Sequence, residues 1–234
     1  MAKLFSMLFL IGLLFLLTII TGLLPLGQPP MVAGQGVLYD AVASTGAANL
    51  VTAVVLGYRG IDTLGELSIL FAAAAAGSLA FAGLQTKSTA HLPKPSFILE
   101  TATGLLLPLL LVTGLYIVLH GHLTPGGGFQ GGVLLATAIF LPSLVRGRSM
   151  LNHQVLSLLE GLAGASFIII GLLALYANGS FLQPLLDKGQ FATLFSAGSL
   201  PLLYIAVGLK VGAELAGLLT TLAGNDDEES DYVA

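Results

Sequence analysis

Long apolar runs broken by short polar stretches dominate this chain, and a bilayer core takes about 20 such residues per helix. On that measure six segments predict membrane-spanning helices: 4–24, 64–84, 99–119, 129–145, 155–176 and 200–222. Residues 46–56 are apolar but too short to cross. They predict an interfacial or partly inserted helix leading into the turn Tyr58-Arg59-Gly60. The expected fold class is all-α, a polytopic membrane protein with six transmembrane helices arranged two plus four and one short interfacial helix. The polar stretch 85–96 reads as a linker between a two-span front piece, 1–84, and a four-span back piece, 97–222, with an acidic tail over 223–234. The first run is longer than a signal-peptide core and has no convincing small-residue cleavage site before Pro25, so it is expected to be a retained span.

Cations set the orientation. With six spans, Lys3, Lys87, Lys94, Arg146 and Arg148 face the cytoplasm while Arg59 and Lys188 face the other side, which puts both termini in the cytoplasm. A seventh span at 46–56 would move most of those cations outward, so the charge rule opposes it. The expected location is the cell membrane.

Composition narrows the chemistry. The chain of 234 residues is 56% hydrophobic and 9% charged, against roughly 25% charged in a soluble domain. Eight Lys and Arg against twelve Asp and Glu leave a net charge of −4, with no basic footprint for nucleic acid and no polybasic lipid-binding cluster. Cysteine is absent and there are four His. Disulfides, thiolate metal sites and iron–sulfur ligation are therefore excluded in this subunit. No cofactor or metal site and no enzymatic activity are expected in the chain itself.

The connection between the third and fourth spans contains Gly121-His122-Leu123-Thr124-Pro125-Gly126-Gly127-Gly128-Phe129-Gln130-Gly131-Gly132. Consecutive glycines cost backbone entropy, and non-helical backbone is tolerated at membrane depth only where protein or a water-filled cavity satisfies it. The run reads either as a tight re-entrant turn that lets helices approach or as a turn that also lines an ion path. It is no phosphate loop, since the Lys-Ser/Thr of such sites is missing.

These residues carry a resemblance. Ile98-Leu99-Glu100-Thr101-Ala102-Thr103, with Gly121-His122 and Pro125 to Gly132, resembles the MrpB-type component of Mrp-type multisubunit cation/proton antiporters over about 97–222. Asn49-Leu50-Val51-Thr52-Ala53-Val54-Val55, followed by Tyr58-Arg59-Gly60-Ile61-Asp62-Thr63-Leu64-Gly65-Glu66, resembles the C-terminal tail of the large MrpA-type component. The same unit stands alone as a small MbhE-type component of membrane-bound hydrogenase complexes, so the chain looks like a fusion of the two. Gly57, Gly104 and Thr124 depart from the family pattern, which usually has charged residues there. The resemblance implies a subunit that handles Na+ and H+ as transported ions alongside other membrane subunits and lipids. The assembly would be either an antiporter or a hydrogenase-like redox complex.

Ionisable groups inside spans cost about 2.5–3.5 kcal/mol each on insertion scales, so each is a candidate. Lys210 and Glu214 stand i, i+4 on one face of the last span, as a relay pair or a structural one. Glu160 has no cation one turn away and would be neutral against lipid or exchange protons against a partner. Arg59 and Asp62 are i, i+3 neighbours. Glu66 follows them either as a plain helix-start charge or, as the resemblance favours, as a proton acceptor in a half-channel. Glu100 reads as an interfacial acid at the mouth of span three. His120 and His122 end that span, and the near-neutral pKa of His122 suits proton shuttling or a structural hydrogen bond. Small residues at Ala72–Ala76, Gly161, Gly164, Gly171, Gly208 and Gly212 predict close helix contacts. Pro108 predicts a kink or ordinary packing. A purely structural assembly role, with every intramembrane acid serving only as a hydrogen-bonding group, stays open as the other class of function.

Overall fold

The structure, a computed structural model, describes residues 2–23, 32–82, 95–146 and 152–223. Leu24, linker residues 85–94 with Lys87 and Lys94, Arg148, and tail residues 224–234 lie outside the described residues. Within them every regular element is helical. The chain divides into two compact units, Met1–Val37 and Leu38–Ala234.

The smaller unit holds α1, Ala2–Leu23. Two of its polar side chains are satisfied within the helix, as a membrane demands: Thr18 and Thr21 donate to the carbonyls of Leu14 and Leu17, each at 2.8 Å. α2, Val32–Thr45, corresponds to no element expected from the sequence. Gly34, Gln35, Gly36 and Asp40 break any single apolar face in it, so periodicity does not mark it.

In the larger unit the chain turns sharply after Thr45. Tyr39–Thr45 and Leu50–Tyr58 form a pair bent by 82°, composed of the end of α2, the short α3 at Leu50–Thr52 and a π-helical turn at Ala53–Tyr58. The predicted helix at 46–56 therefore begins later and ends later than expected. Asn49 is the reason: its extended backbone and its side chain, which accepts from the Val51 N–H, start the helix at Leu50 and prevent it from running back through Gly46. Ser44 and Tyr58 join their hydroxyls at 2.8 Å across the bend.

Five helices long and apolar enough to cross a membrane follow. They are α4 at Gly60–Ala82, α5 at Phe97–Leu119, α6 at Gly128–Arg146, α7 at His153–Asn178 and α8 at Leu200–Leu222. Each lies within a few residues of its predicted span. Ser96 and Asn152 cap α5 and α7, Gly179 closes α7 in the left-handed region, and α5 runs unbroken through Pro108.

The central helix is α8, which packs against α4, α5, α6 and α7 and buries Leu203, Tyr204, Val207, Val211 and Ala216. Glycines let α6 approach it. A Cβ on Gly128 would stand 2.6 Å from Val207 Cβ, and one on Gly132 would stand 2.8 Å from Val211 Cβ. Gly208 faces Val118 of α5 in the same way and Gly212 faces Gly132 of α6, so that pair is a helix contact, whereas Ala72, Ala73, Ala75, Ala76 and Gly161 are exposed and Gly171 meets the ring of Phe181 beyond the end of α7. Ala136, Leu156, Ala213 and Ala216 then fill the space between α6, α7 and α8.

Candidate functional site

Mid-helix on α8, Lys210 is buried between two carboxylates from different elements. Its Nζ lies 3.1 Å from Glu214 Oε2, one turn along the same helix, and 3.4 Å from Glu160 Oε1 on α7. Phe71 of α4 sets its ring 5.1 Å from the ammonium, a cation–π contact that is strengthened by desolvation. Gly164 of α7 leaves room for the lysine stem, since a Cβ there would meet Lys210 Cδ at 3.5 Å. Three helices thus assemble one charged cluster.

The two acids differ. The Glu214 side chain is 2% exposed and that of Glu160 is 23% exposed. Neither oxygen of Glu214 makes a hydrogen bond of good geometry among the described residues, so the lysine ammonium is its compensation. Such a group is costly unless a proton or a cation balances it, which is the property a relay site needs. Glu160 borders a groove of about 280 Å³ between α4 and α7 whose floor is Lys210.

The remaining predicted residues stand apart from this cluster. Glu66 is exposed on α4 and is not among the residues lining the groove. Arg59 and Asp62 pair as their spacing predicts, at 2.6 Å from Nε to Oδ2, but both are exposed, and such pairs contribute little. Glu100 is exposed in the first turn of α5, consistent with an interfacial acid at a favourable helix end.

His122 lies just beyond the end of α5, in the connection where the sequence places it: the helix stops at Leu119 and His120 caps it, stacked on Tyr116 with centroids 4.1 Å apart. The His122 ring is fully buried. Its Nε2 is 3.3 Å from the Thr193 carbonyl, and Nδ1 has no hydrogen-bond partner among the described residues. The turn that holds it is clasped by the front motif: Asn49 Nδ2 donates to the carbonyls of Gly121 and Thr124, each at 2.9 Å, and Thr52 Oγ1 donates to Gly121 at 2.7 Å. The Asn49 N–H adds a bond to the His122 carbonyl at 3.0 Å. Gly126 and Gly127, with φ of +147° and +144°, adopt backbone conformations that only glycine takes easily. Beside them a cavity of about 100 Å³ is bordered by Thr52, Gln130 and Tyr204.

The clasp residues Asn49 and Thr52, the Glu160–Lys210 pair and the Phe71 contact are not legible as partners in the sequence. Only the Asn49-to-Val55 motif and the intramembrane position of Glu160 signal them. Replacing Asn49 by Ala is expected to cost about 1–3 kcal/mol, because it leaves partly buried carbonyls unpaired. N49D is expected to cost more by setting an anion against two carbonyl oxygens. Thermal unfolding of the purified assembly checks the order.

Burial lowers the pKa of His122 from its ordinary value of 6.5, against the smaller raising effect of the backbone carbonyl contact. The unfolded chain then binds the proton more readily than the folded one, so stability is complete above about pH 6.5 and is lost as pH falls below it. Amide exchange at residues 190–196 is expected to quicken in that range. The variant H122Q is expected to remove the pH step, and an unchanged profile would discount the histidine.

Residues 98–217 match the family described as a domain related to the MnhB subunit of Na+/H+ antiporter. An uncharacterized protein of Methanocaldococcus jannaschii is 32% identical over 74% of this chain and 74% of its own length. The corresponding Na(+)/H(+) antiporter component of Bacillus subtilis is 35% identical over 41% of this chain and 75% of its own length. Among solved structures, a chain of the membrane-bound sulfane sulfur reductase, an archaeal respiratory membrane complex, superimposes with a TM-score of 0.76 at 36% identity. That match covers 94% of this chain and 97% of the other.

Proposed function

Because this chain belongs to the family of domains related to the MnhB subunit of Na+/H+ antiporter, we propose that it is a non-enzymatic, multi-pass membrane subunit of an Mrp-type Na+/H+ antiporter assembly. In that role it contributes to the ion path and to assembly. The observation that carries the ion-path reading is the Glu160–Lys210–Glu214 cluster, which lies inside the matched region. One ammonium between two carboxylates at mid-helix holds a balance that the arrival of one proton or cation shifts. The transported ions are Na+ and H+, and the chain itself carries no cofactor in this reading. The front piece, 1–84, is the fused two-span unit that fixes stoichiometry. Support comes from a respiratory-complex chain of comparable extent, matched over 97% of its length.

In membrane vesicles, E214Q is expected to abolish Na+-dependent proton exchange while the assembly still purifies. E66Q tests the exposed acid that stands apart from the cluster and is expected to act more weakly. If both variants lower the yield of assembly but leave exchange per assembled complex unchanged, the acids are structural and the ion-path role is refuted.

A second reading keeps the subunit and changes the driver. The likeness to a respiratory complex at 36% identity favours an assembly in which electron transfer in other subunits powers ion movement. Co-purification of iron–sulfur subunits with the tagged chain would establish it.

A further inference from the structure

The groove beside Lys210 has walls of two kinds. On α4 it is bounded by Ser68 and Phe71, and on α7 by Glu160, Gly161 and Gly164. At about 280 Å³ it has room for side chains of a helix laid along it. No atom lies within 4 Å of a Cβ placed on Gly161, whereas the space at Gly164 is filled by the Lys210 stem, so a second backbone can approach α7 closely at Gly161.

Glu160 needs something in this groove. One ammonium is shared by two acids: Lys210 donates to Glu160 at 3.4 Å and lies 3.1 Å from the sealed Glu214, which leaves one negative charge over, and the Glu160 side chain, 23% exposed, is the one that faces the groove. A lipid chain offers a carboxylate no donor. A bare Na+ would find few side-chain oxygens, those of Ser68 and Glu160, next to a repelling ammonium. Leu64, Leu67, Phe71 and Ile168 line the same groove, an apolar surface that water alone leaves uncovered. A second copy of this chain has no base to give either, because Lys210 is the only Lys or Arg in the interior of any of its spans.

We propose that the α4–α7 groove receives a transmembrane helix of a different subunit, and that a Lys or Arg on that helix reaches Glu160. The charge of the acid and the open face at Gly161 define the partner: an apolar helix with one basic side chain at the depth of Lys210. The inference rests on the reading of the chain as a subunit of a membrane assembly and adds where, and by what chemistry, one contact is made.

The test uses the whole assembly, with p-benzoylphenylalanine placed at Phe71 on one wall and, separately, at Ile168 on the other. After irradiation the joined peptides are sequenced by mass spectrometry. Both positions are expected to join to the same apolar helix of one other subunit, within about one turn of a Lys or Arg. E160Q is expected to abolish the joining from both. Adducts only to lipid, joining within this chain, a helix without a basic residue, or no joining at all would each overturn the proposal. So would labelling of S68C by a water-soluble sulfonate reagent, since the groove would then be aqueous. Subunit content and Na+-driven exchange are measured on the same preparation. An intact, active assembly with failed joining removes the groove contact alone, whereas a chain that purifies by itself removes the assembly reading.

Discussion

Replacing Lys210 by Met is expected to destabilise the larger unit by about 3–5 kcal/mol, the usual cost of leaving buried charge without its partner. The argument is asymmetric. Lys210 faces two acids, so its loss takes from both the cation that this chain supplies, and Glu214, at 2% exposure, cannot turn to water. Met fills the lysine stem's volume, so packing changes little and the effect reports charge. The double variant K210M/E214Q is expected to recover more than half of the loss, and K210R, which keeps the charge, should fall much less than K210M. Thermal midpoints of the purified assembly give the comparison, with E214Q alone completing the cycle. If K210M melts with the parent, or if E214Q fails to rescue it, the cluster is not the electrostatic centre of this subunit.

Much of this is readable from the residues, and the limits have physical causes. Apolar length places five of the long helices within a few residues, because a bilayer fixes helix length more tightly than a soluble core does. The i, i+4 pair Lys210–Glu214 is legible since helical spacing alone makes it. Glu160 is visible as an isolated acid, yet its cation lies 50 residues away on a neighbouring helix, and no periodicity connects them. Asn49 stands out only within a motif. Its function as a clasp depends on carbonyls 72 and 75 residues further on, exposed by a turn whose shape the sequence does not encode locally. α2 is hidden because glycines and polar residues interrupt its apolar face. Glu66 shows the converse: its position near the start of a span and a family motif both draw attention to it, but the structure leaves it exposed and outside the cluster.

Gly131→Ala is expected to be among the most damaging single-methyl changes in the chain, at about 3 kcal/mol, the upper end for overpacking. A Cβ at this position would stand 2.8 Å from the Gly114 carbonyl oxygen and 3.0 Å from the Val118 nitrogen. Both are backbone atoms of α5, so relief requires moving one helix off the other. Side-chain clashes are milder: the Cβ that G77A would add meets only the end of Leu218, at 3.2 Å, and that rotamer can give way. Gly104 is the control, because nothing lies within 4 Å of a Cβ there. Alanine there is expected to be neutral or to stabilise by about 0.4–1 kcal/mol through the unfolded chain. Assembly yield and thermal midpoint check the series, and a G131A protein as stable as G104A would refute the close α5–α6 contact. The same variant separates the two meanings of the glycine run. If Gly131 serves helix approach alone, the G131A complexes that do assemble should exchange ions at the parental rate per complex. If exchange falls in correctly assembled complexes, the α5–α6 seam itself belongs to the ion path.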